Sequence, residues 1–285
     1  MSNTSDIDLT GKVAIVTGGG RGMGRAMALA LAQAGAGVTI TVAREAAELE
    51  KTAADIEQQS GAGRIHAMVA DVTDEAACLR VRDETLAKFG ALHVLVNNAA
   101  RGHKFIHDAN PGVPMDFWTA DSAAWKMIVD TNVNGPFLMA KAVSPHFLAQ
   151  NYGRIVNIGV TESSMQKSRN SPYGISKAAL ESETVIWAQD LAATGKNVTC
   201  NALSPGGATL TGMIYEDYGD RKLNDPAIMG PPIVWLASER SDGVTGRRMA
   251  ANIWDASLDA DTAAKGAFSG PALMAPPGSQ QKTQH

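Results

Sequence analysis

A tyrosine and a lysine four residues apart, Tyr173 and Lys177, have types and spacing that suggest proton chemistry. On a helix, positions i and i+4 share one face. A free phenol titrates near 10, so at neutral pH only about one in a thousand is ionised. A neighbouring ammonium favours the phenolate and lowers that pKa. A phenol tuned toward the operating pH is a better acid for an alkoxide and a better base for an alcohol. A bare Tyr-x-x-x-Lys also describes an ordinary surface pair, so the surroundings must decide. An apolar run ahead of it, residues 155–158, ends in Gly159-Val160-Thr161, and Ser163 and Ser164 follow. Which of these hydroxyls, if any, assists the phenol is an open question at this level.

A second constellation lies near the N-terminus. TGGGRGMG, residues 17–24, follows a short apolar run, KVAIVT at 12–17. It opens an alanine- and leucine-spaced stretch over 25–34 with helical period. Glycines let a backbone approach a pyrophosphate with no Cβ in the way. A helix start offers free N–H groups and partial positive charge to an anion. A glycine run alone is weak evidence, but one set between strand and helix points to nucleotide binding. His103 and His107 are also four apart, but no third ligand stands near at persuasive spacing, and no metal site is expected.

Positioning these groups requires a sheet. Strand-like runs at 12–17, 38–42, 64–69, 92–96, 155–158, 198–203 and 248–253 alternate with helical stretches. The helical stretches cover 25–34, 46–59, 75–89, 123–150 and 173–193. This alternation predicts an α/β fold, a doubly wound parallel sheet with helices on both faces. One domain is expected over residues 1–256. The remainder, 257–285, contains PALMAPPGSQQKTQH and reads as a flexible or disordered tail. The alternative for it is a sheet-edge extension or a partner-binding arm.

Bulk composition narrows the classes. The chain has 285 residues, 45% of them hydrophobic, enough for one large α/β core. A net charge of −4 argues against a nucleic-acid partner. Two cysteines, Cys78 and Cys200, make neither a disulfide framework nor a zinc site and suit a reducing cytoplasm. The first residues lack a basic-then-apolar leader pattern, and no run approaches the ~18 apolar residues of a membrane span.

Taken in order, these motifs resemble the short-chain dehydrogenase/reductase family over about residues 8–255. The glycine loop has its Thr-Gly-x-x-x-Gly-x-Gly spacing. Asp71-Val72 follows, then Asn97-Asn98-Ala99-Ala100 in place of Asn-Asn-Ala-Gly. Asn132 stands in Thr-Asn-Val-Asn-Gly, then come Tyr173-x-x-x-Lys177 and Ser204-Pro205-Gly206. The resemblance implies a single-domain, Rossmann-type NAD(P)-dependent oxidoreductase. It would move a hydride between nicotinamide and a carbonyl or secondary alcohol of a small, largely apolar substrate. The cofactor residues it implies are Gly18, Arg21, Gly22, Met23, Gly24, Arg44, Asp71, Val72, Asn98, Ala99, Pro205, Gly206 and Thr209, with Tyr173 and Lys177. It makes Tyr173 the acid–base, with Lys177 tuning it and binding ribose hydroxyls, and Asn132 supporting a proton relay. It also implies a homodimer or homotetramer through the helices at 123–150 and 173–193, with Ile128, Phe137, Leu138, Leu180, Ile186 and Trp187 as apolar contacts.

The chain departs from the family pattern in several places. The position thirteen residues before Tyr173, where the family has a serine that polarises the substrate carbonyl, holds Val160. We expect Thr161 to substitute, with Ser163 as second choice. No acid ends the second strand, and Arg44 and Arg21 could pair with a 2′-phosphate, so NADP(H) is favoured and NAD(H) is the alternative. The segment 101–120 is long, and His103, Phe105, Phe117 and Trp118 could wall a pocket. The segment 213–230 stands where the family has its lid, with Met213, Ile214, Tyr215 and Tyr218 apolar enough to close on a ligand. Near the last strand Asn252-Ile253-Trp254-Asp255 replaces Asp-Gly-Gly. The competing reading, supported by Val160 and Ala100, is a regulatory or chemically impaired dinucleotide binder.

Overall fold

Eight strands form one sheet in the computed structural model, which describes residues 4–102, 116–212 and 223–271. The strands are β1 (Val13–Thr17), β2 (Gly37–Val42), β3 (Ile65–Val69), β4 (Val94–Asn97), β5 (Gly153–Ile158), β6 (Val198–Ser204), β7 (Arg247–Ala250) and β8 (Phe268–Pro271). Their order is β3-β2-β1-β4-β5-β6-β7-β8. All pairs are parallel except β7 with β8. From β1 the chain winds outward to β3, then returns to place β4 on the other side of β1. That reversal opens a crevice at the carboxyl ends of the strands.

The strands are apolar nearly throughout because both faces are covered. All five residues of β1 and all seven of β6 are buried. Successive side chains point to opposite faces. Ala14 and Val16 thus join one core with Met27 and Leu31 of α1 (Gly22–Gln33), Leu49 and Ile56 of α2 (Ala46–Ser60), and Ile233 and Trp235 of α8 (Gly230–Ala237). Ile15 joins the other core with Val81 of α3 (Glu75–Phe89), Val143 and Phe147 of α5 (Gly135–Ala149), and Leu191 of α7 (Tyr173–Ala193). Among the described residues no helix is long and apolar enough to cross a membrane.

Three expectations change. The helical stretch 123–150 is three pieces: α4 (Ser122–Val129), a π turn over Asp130–Asn134, and α5. A π turn inserts an extra residue per turn and often marks a functional site; here it carries Asn132. The tail 257–285 is not wholly without structure. Residues 260–267 form α9 (Ala260–Ala267), capped by Asp259, whose side chain accepts from the Thr262 N–H. Ala260, Ala264 and Ala267 enter the first core, and Asp261 accepts a 2.7 Å bond from the Trp235 indole. β8 then closes the sheet edge, so the domain runs past 256 to at least Pro271; residues 272–285 lie outside the described residues. The helix escapes a hydropathy reading because small alanines, rather than large apolar side chains, fill its buried face. The expected strand 248–253 is likewise shorter, Arg247–Ala250, and gives way to a 3₁₀ turn at Ala251–Ile253.

Of the residues expected at subunit contacts, Ile128 and Leu180 are buried within the core. Leu138 and Trp187 pack partly against it, while Phe137 and Ile186 remain about half exposed on α5 and α7.

Candidate active site

The residue that follows each of six parallel strands lines one cavity: Gly18 after β1, Ala43 after β2, Ala70 after β3, Asn98 after β4, Gly159 after β5 and Pro205 after β6. The crevice predicted by the strand reversal is therefore where the sequence motifs meet.

Its phosphate side is the glycine loop, with Gly18, Arg21, Gly22, Met23 and Gly24 on the wall. A Cβ on Gly18 would lie 2.9 Å from the Ala99 Cα, and one on Gly24 would lie 2.2 Å from the Gly18 carbonyl oxygen. The loop is fastened to β4 as well. Thr17 Oγ1 accepts the Asn98 and Ala99 N–H groups, each at 3.0 Å, and the Asn98 amide donates to the carbonyls of Thr17 and Gly18. α1 starts at this loop with no side-chain cap and no acid in its first turn. Its first N–H groups are thus left for an anion. Cβ-free backbone against an uncapped helix start fits the diphosphate of a dinucleotide.

Asp71 and Val72 line the adenine end expected from the family pattern, together with Ala99. Burial pushes the Asp71 carboxyl up, but the Thr73 N–H and hydroxyl and the charges of Arg101 and Arg44 together hold it below the usual range. Arg44 is exposed on the cavity wall and makes no ion pair among the described residues. Arg21 is already paired, with Glu48 at 3.3 Å.

Across the strand ends lie the residues expected to handle protons. α7 begins at Tyr173, and both Tyr173 and Lys177 reach the wall. Lys177 is 3% exposed and donates to the Ile158 carbonyl at 2.8 Å. Burial pushes its ammonium down to about 8. Asn132 is fully buried and off the wall, although Thr131 is on it. Asn132 Oδ1 accepts the Arg101 N–H at 2.8 Å, and its Nδ2 donates to the Arg101 carbonyl and to Ser176 Oγ, both at 3.0 Å. In this state Asn132 positions the β4 loop against α7.

The hydroxyls after β5 divide. Val160, Thr161 and Ser164 line the cavity, while the exposed Ser163 does not. Pro205 and Thr209 are on the wall, as expected, but Gly206 is not. It has φ +75°, and its Cβ would fall 1.6 Å from Asn252 Oδ1, so it shapes the turn that brings Gly207 and Ala208 to the wall instead. Phe117 and Trp118 are 65% and 72% exposed and stack edge-to-face away from the wall. His103, Phe105, His107, Met213, Ile214, Tyr215 and Tyr218 lie outside the described residues.

Motif reading missed several wall residues. Ala43, Ala70 and Gly159 could have been found by taking the residue after each parallel strand. Arg101, Lys167, Asn170 and Thr211 also line the cavity, and no periodicity or motif marks them. Among the described residues, no three His, Cys, Asp or Glu side chains gather as a metal ion would need.

The profile of the short chain dehydrogenase family matches residues 12–221. The chain belongs to this family. Like its relatives, this short-chain dehydrogenase is an NAD(P)(H)-dependent oxidoreductase acting on CH–OH groups. It is 28% identical over 251 residues to glucose 1-dehydrogenase 2 of Bacillus subtilis, covering 84% of this chain and 92% of that one. It is 30% identical over 216 residues to nodulation protein G of Azospirillum brasilense, covering 71% and 82%. Its fold matches the crystal structure of a putative short-chain alcohol dehydrogenase from Sinorhizobium meliloti with a TM-score of 0.74 and 30% identity, over 90% of this chain and 99% of that one. A metagenomic short-chain oxidoreductase in complex with NADP is similar at a TM-score of 0.67 and 26% identity, covering 81% and 92%.

Proposed function

We propose that this short-chain dehydrogenase uses NADP(H) in preference to NAD(H) to interconvert a ketone or aldehyde and the corresponding alcohol on a small, largely apolar substrate. The observation that carries the reading is the meeting of Tyr173, Lys177 and the glycine loop on one cavity wall. When bound, the nicotinamide supplies or accepts the hydride. Tyr173 gives its phenolic proton to the oxygen of a substrate being reduced, and takes the proton from an alcohol being oxidised. The buried Lys177 ammonium, anchored on the Ile158 carbonyl, favours the phenolate and presents donors to ribose hydroxyls. Asn132 holds Ser176, three residues beyond Tyr173 on α7, and so helps set the start of that helix.

Two features support the phosphorylated cofactor. Ala43, just after β2, presents a methyl group where an acid would repel a 2′-phosphate, and Arg44 beside it makes no ion pair among the described residues. The similar oxidoreductase solved with NADP points the same way. The apolar character of the substrate is read from the residue types in the segment 213–230.

Val160 supports the rival reading of a dinucleotide binder without chemistry. Tyr173→Phe separates the two. Removing the phenol should lower kcat by about 10²–10⁴ while NADPH affinity, read by fluorescence titration, stays near wild type. A wild-type protein that binds NADPH tightly and turns over no member of a ketone and alcohol panel would establish the rival.

A further inference from the structure

A carbonyl oxygen gaining charge during reduction is stabilised best by more than one preorganised donor. Tyr173 is one. Val160, on the same wall, has nothing to donate. Three hydroxyls follow within four residues, and their hydrogen bonds distinguish them.

Thr161 caps the short helix α6 (Glu162–Met165): its Oγ1 accepts the Ser164 N–H at 3.3 Å. The same oxygen lies 3.1 Å from Ser163 Oγ and 2.8 Å from Ser164 Oγ. A hydroxyl has one proton and two lone pairs. One lone pair of Thr161 is taken by the backbone cap. Its second lone pair and its proton are then divided between the two serines. Thr161 has no proton left for a ligand in either arrangement. If Ser163 donates to Thr161 and Thr161 donates to Ser164, the Ser164 proton is free. A carbonyl oxygen in the cavity selects that arrangement, because it accepts the free proton and every bond along the chain is kept. Hydrogen bonds in such a chain polarise one another.

Ser164 is also held where this matters. Its carbonyl accepts from the Asn170 amide, and Asn170 in turn accepts the Gly174 N–H at 2.7 Å. A Cβ on Gly174 would lie 2.6 Å from the Met165 carbonyl oxygen and 3.1 Å from that of Ser164. The end of α6 therefore rests directly on the residue after Tyr173. Ser164, Thr161, Val160 and Tyr173 share the cavity wall, and Ser163 is outside it.

We propose that Ser164, rather than Thr161 or Ser163, donates the second hydrogen bond to the substrate carbonyl oxygen, with Thr161 as the residue that orients it. This rests on the oxidoreductase reading above. No covalent step is involved: Ser164 keeps its proton, and Tyr173 remains the acid.

The test is steady-state kinetics of the full chain with NADPH and its best carbonyl substrate, alongside NADPH titration and thermal melting. Ser164→Ala should lower kcat by about 10²–10³, the loss for one oxyanion donor, with NADPH affinity unchanged. Ser164→Thr keeps the hydroxyl and should recover most of the rate. Thr161→Val should reduce kcat less, and adding it to Ser164→Ala should reduce kcat no further, because the two act in one chain. Thr161→Ser should restore what Thr161→Val loses. An active wild type with Ser164→Ala at full rate overturns the assignment alone. So does an additive double variant. An inactive wild type that binds NADPH overturns the oxidoreductase reading with it.

Discussion

The two walls of the cavity are built by different rules. At the glycine loop the constraint is steric. A Cβ on Gly19 would lie 2.7 Å from Ile40 side-chain carbons, and one on Gly24 would lie 2.2 Å from the Gly18 carbonyl oxygen. Each contact fixes one position to one residue type. At the β5–α7 wall the constraint is to present a donor. Val160, Thr161 and Ser164 all stand in that wall, and a Cβ on Gly159 would meet nothing within 4 Å. A proton donor can move along the chain to any residue within reach. A missing Cβ cannot.

The largest contrast between the walls should come from two alanine substitutions. Gly24→Ala sets a methyl group into the backbone of Gly18 and against the Asn98 amide at 2.5 Å. Backbone cannot swing aside as a side chain can, so the loop must open. Overpacking of this kind costs about 1–3 kcal/mol and sometimes more. NADPH affinity should fall by roughly 10- to 100-fold, and thermal melting should show the apo protein several degrees less stable. Gly159→Ala should leave the melting temperature near wild type. Equal losses in the two variants would show that the walls do not differ in this way.

The same contrast explains what could be read from sequence. The glycine loop, Asp71-Val72 and Asn98 stand at fixed spacing because backbone geometry demands it, and all of them reach the cavity. The alternation of strands and helices was legible because both faces of the sheet are buried, which keeps the strands apolar. The hydroxyl of the reaction wall was not legible, since three candidates within four residues differ only in where their bonds go. Gly206 looked like a cofactor contact but answers to Asn252, a partner 46 residues away that no local pattern reveals. α9 was hidden because alanine fills its buried face without a run of large apolar residues, and β8 because it spans only four residues, FSGP. The π turn at Asn132 left no trace in a helical period that runs on either side of it.

A second test stays at the phosphate end but removes charge instead of adding volume. Arg44 is exposed and without an ion pair among the described residues, so Arg44→Ser should not disturb the fold. A hydrogen bond to a charged group is worth about 1.5–3 kcal/mol, or roughly 10–100-fold in affinity. That loss should appear in the KM for NADPH and not in the KM for NADH. An equal change for both cofactors would mean that Arg44 does not read the 2′-phosphate, and Arg21 would then have to leave Glu48 to do so.

The last test belongs to the reaction wall, and its sign follows from burial. Lys177 titrates at about 8 in the folded protein, against an ordinary 10.5, because burial disfavours its ammonium. Between these two values the unfolded chain binds more protons at this site than the folded one. Stability therefore rises with pH across that window, and below about 8 the full penalty of the buried charge is present. The slope from this one site is at most about 1.4 kcal/mol per pH unit. Lys177→Met also removes the bond to the Ile158 carbonyl, which shifts the whole curve but not its slope. The difference in unfolding free energy, wild type minus Lys177→Met, should thus be flat near pH 6–7 and climb from about 8 to 10.5. A difference that stays flat throughout would mean that the carbonyl contact fully offsets burial, leaving the ammonium at its ordinary pKa.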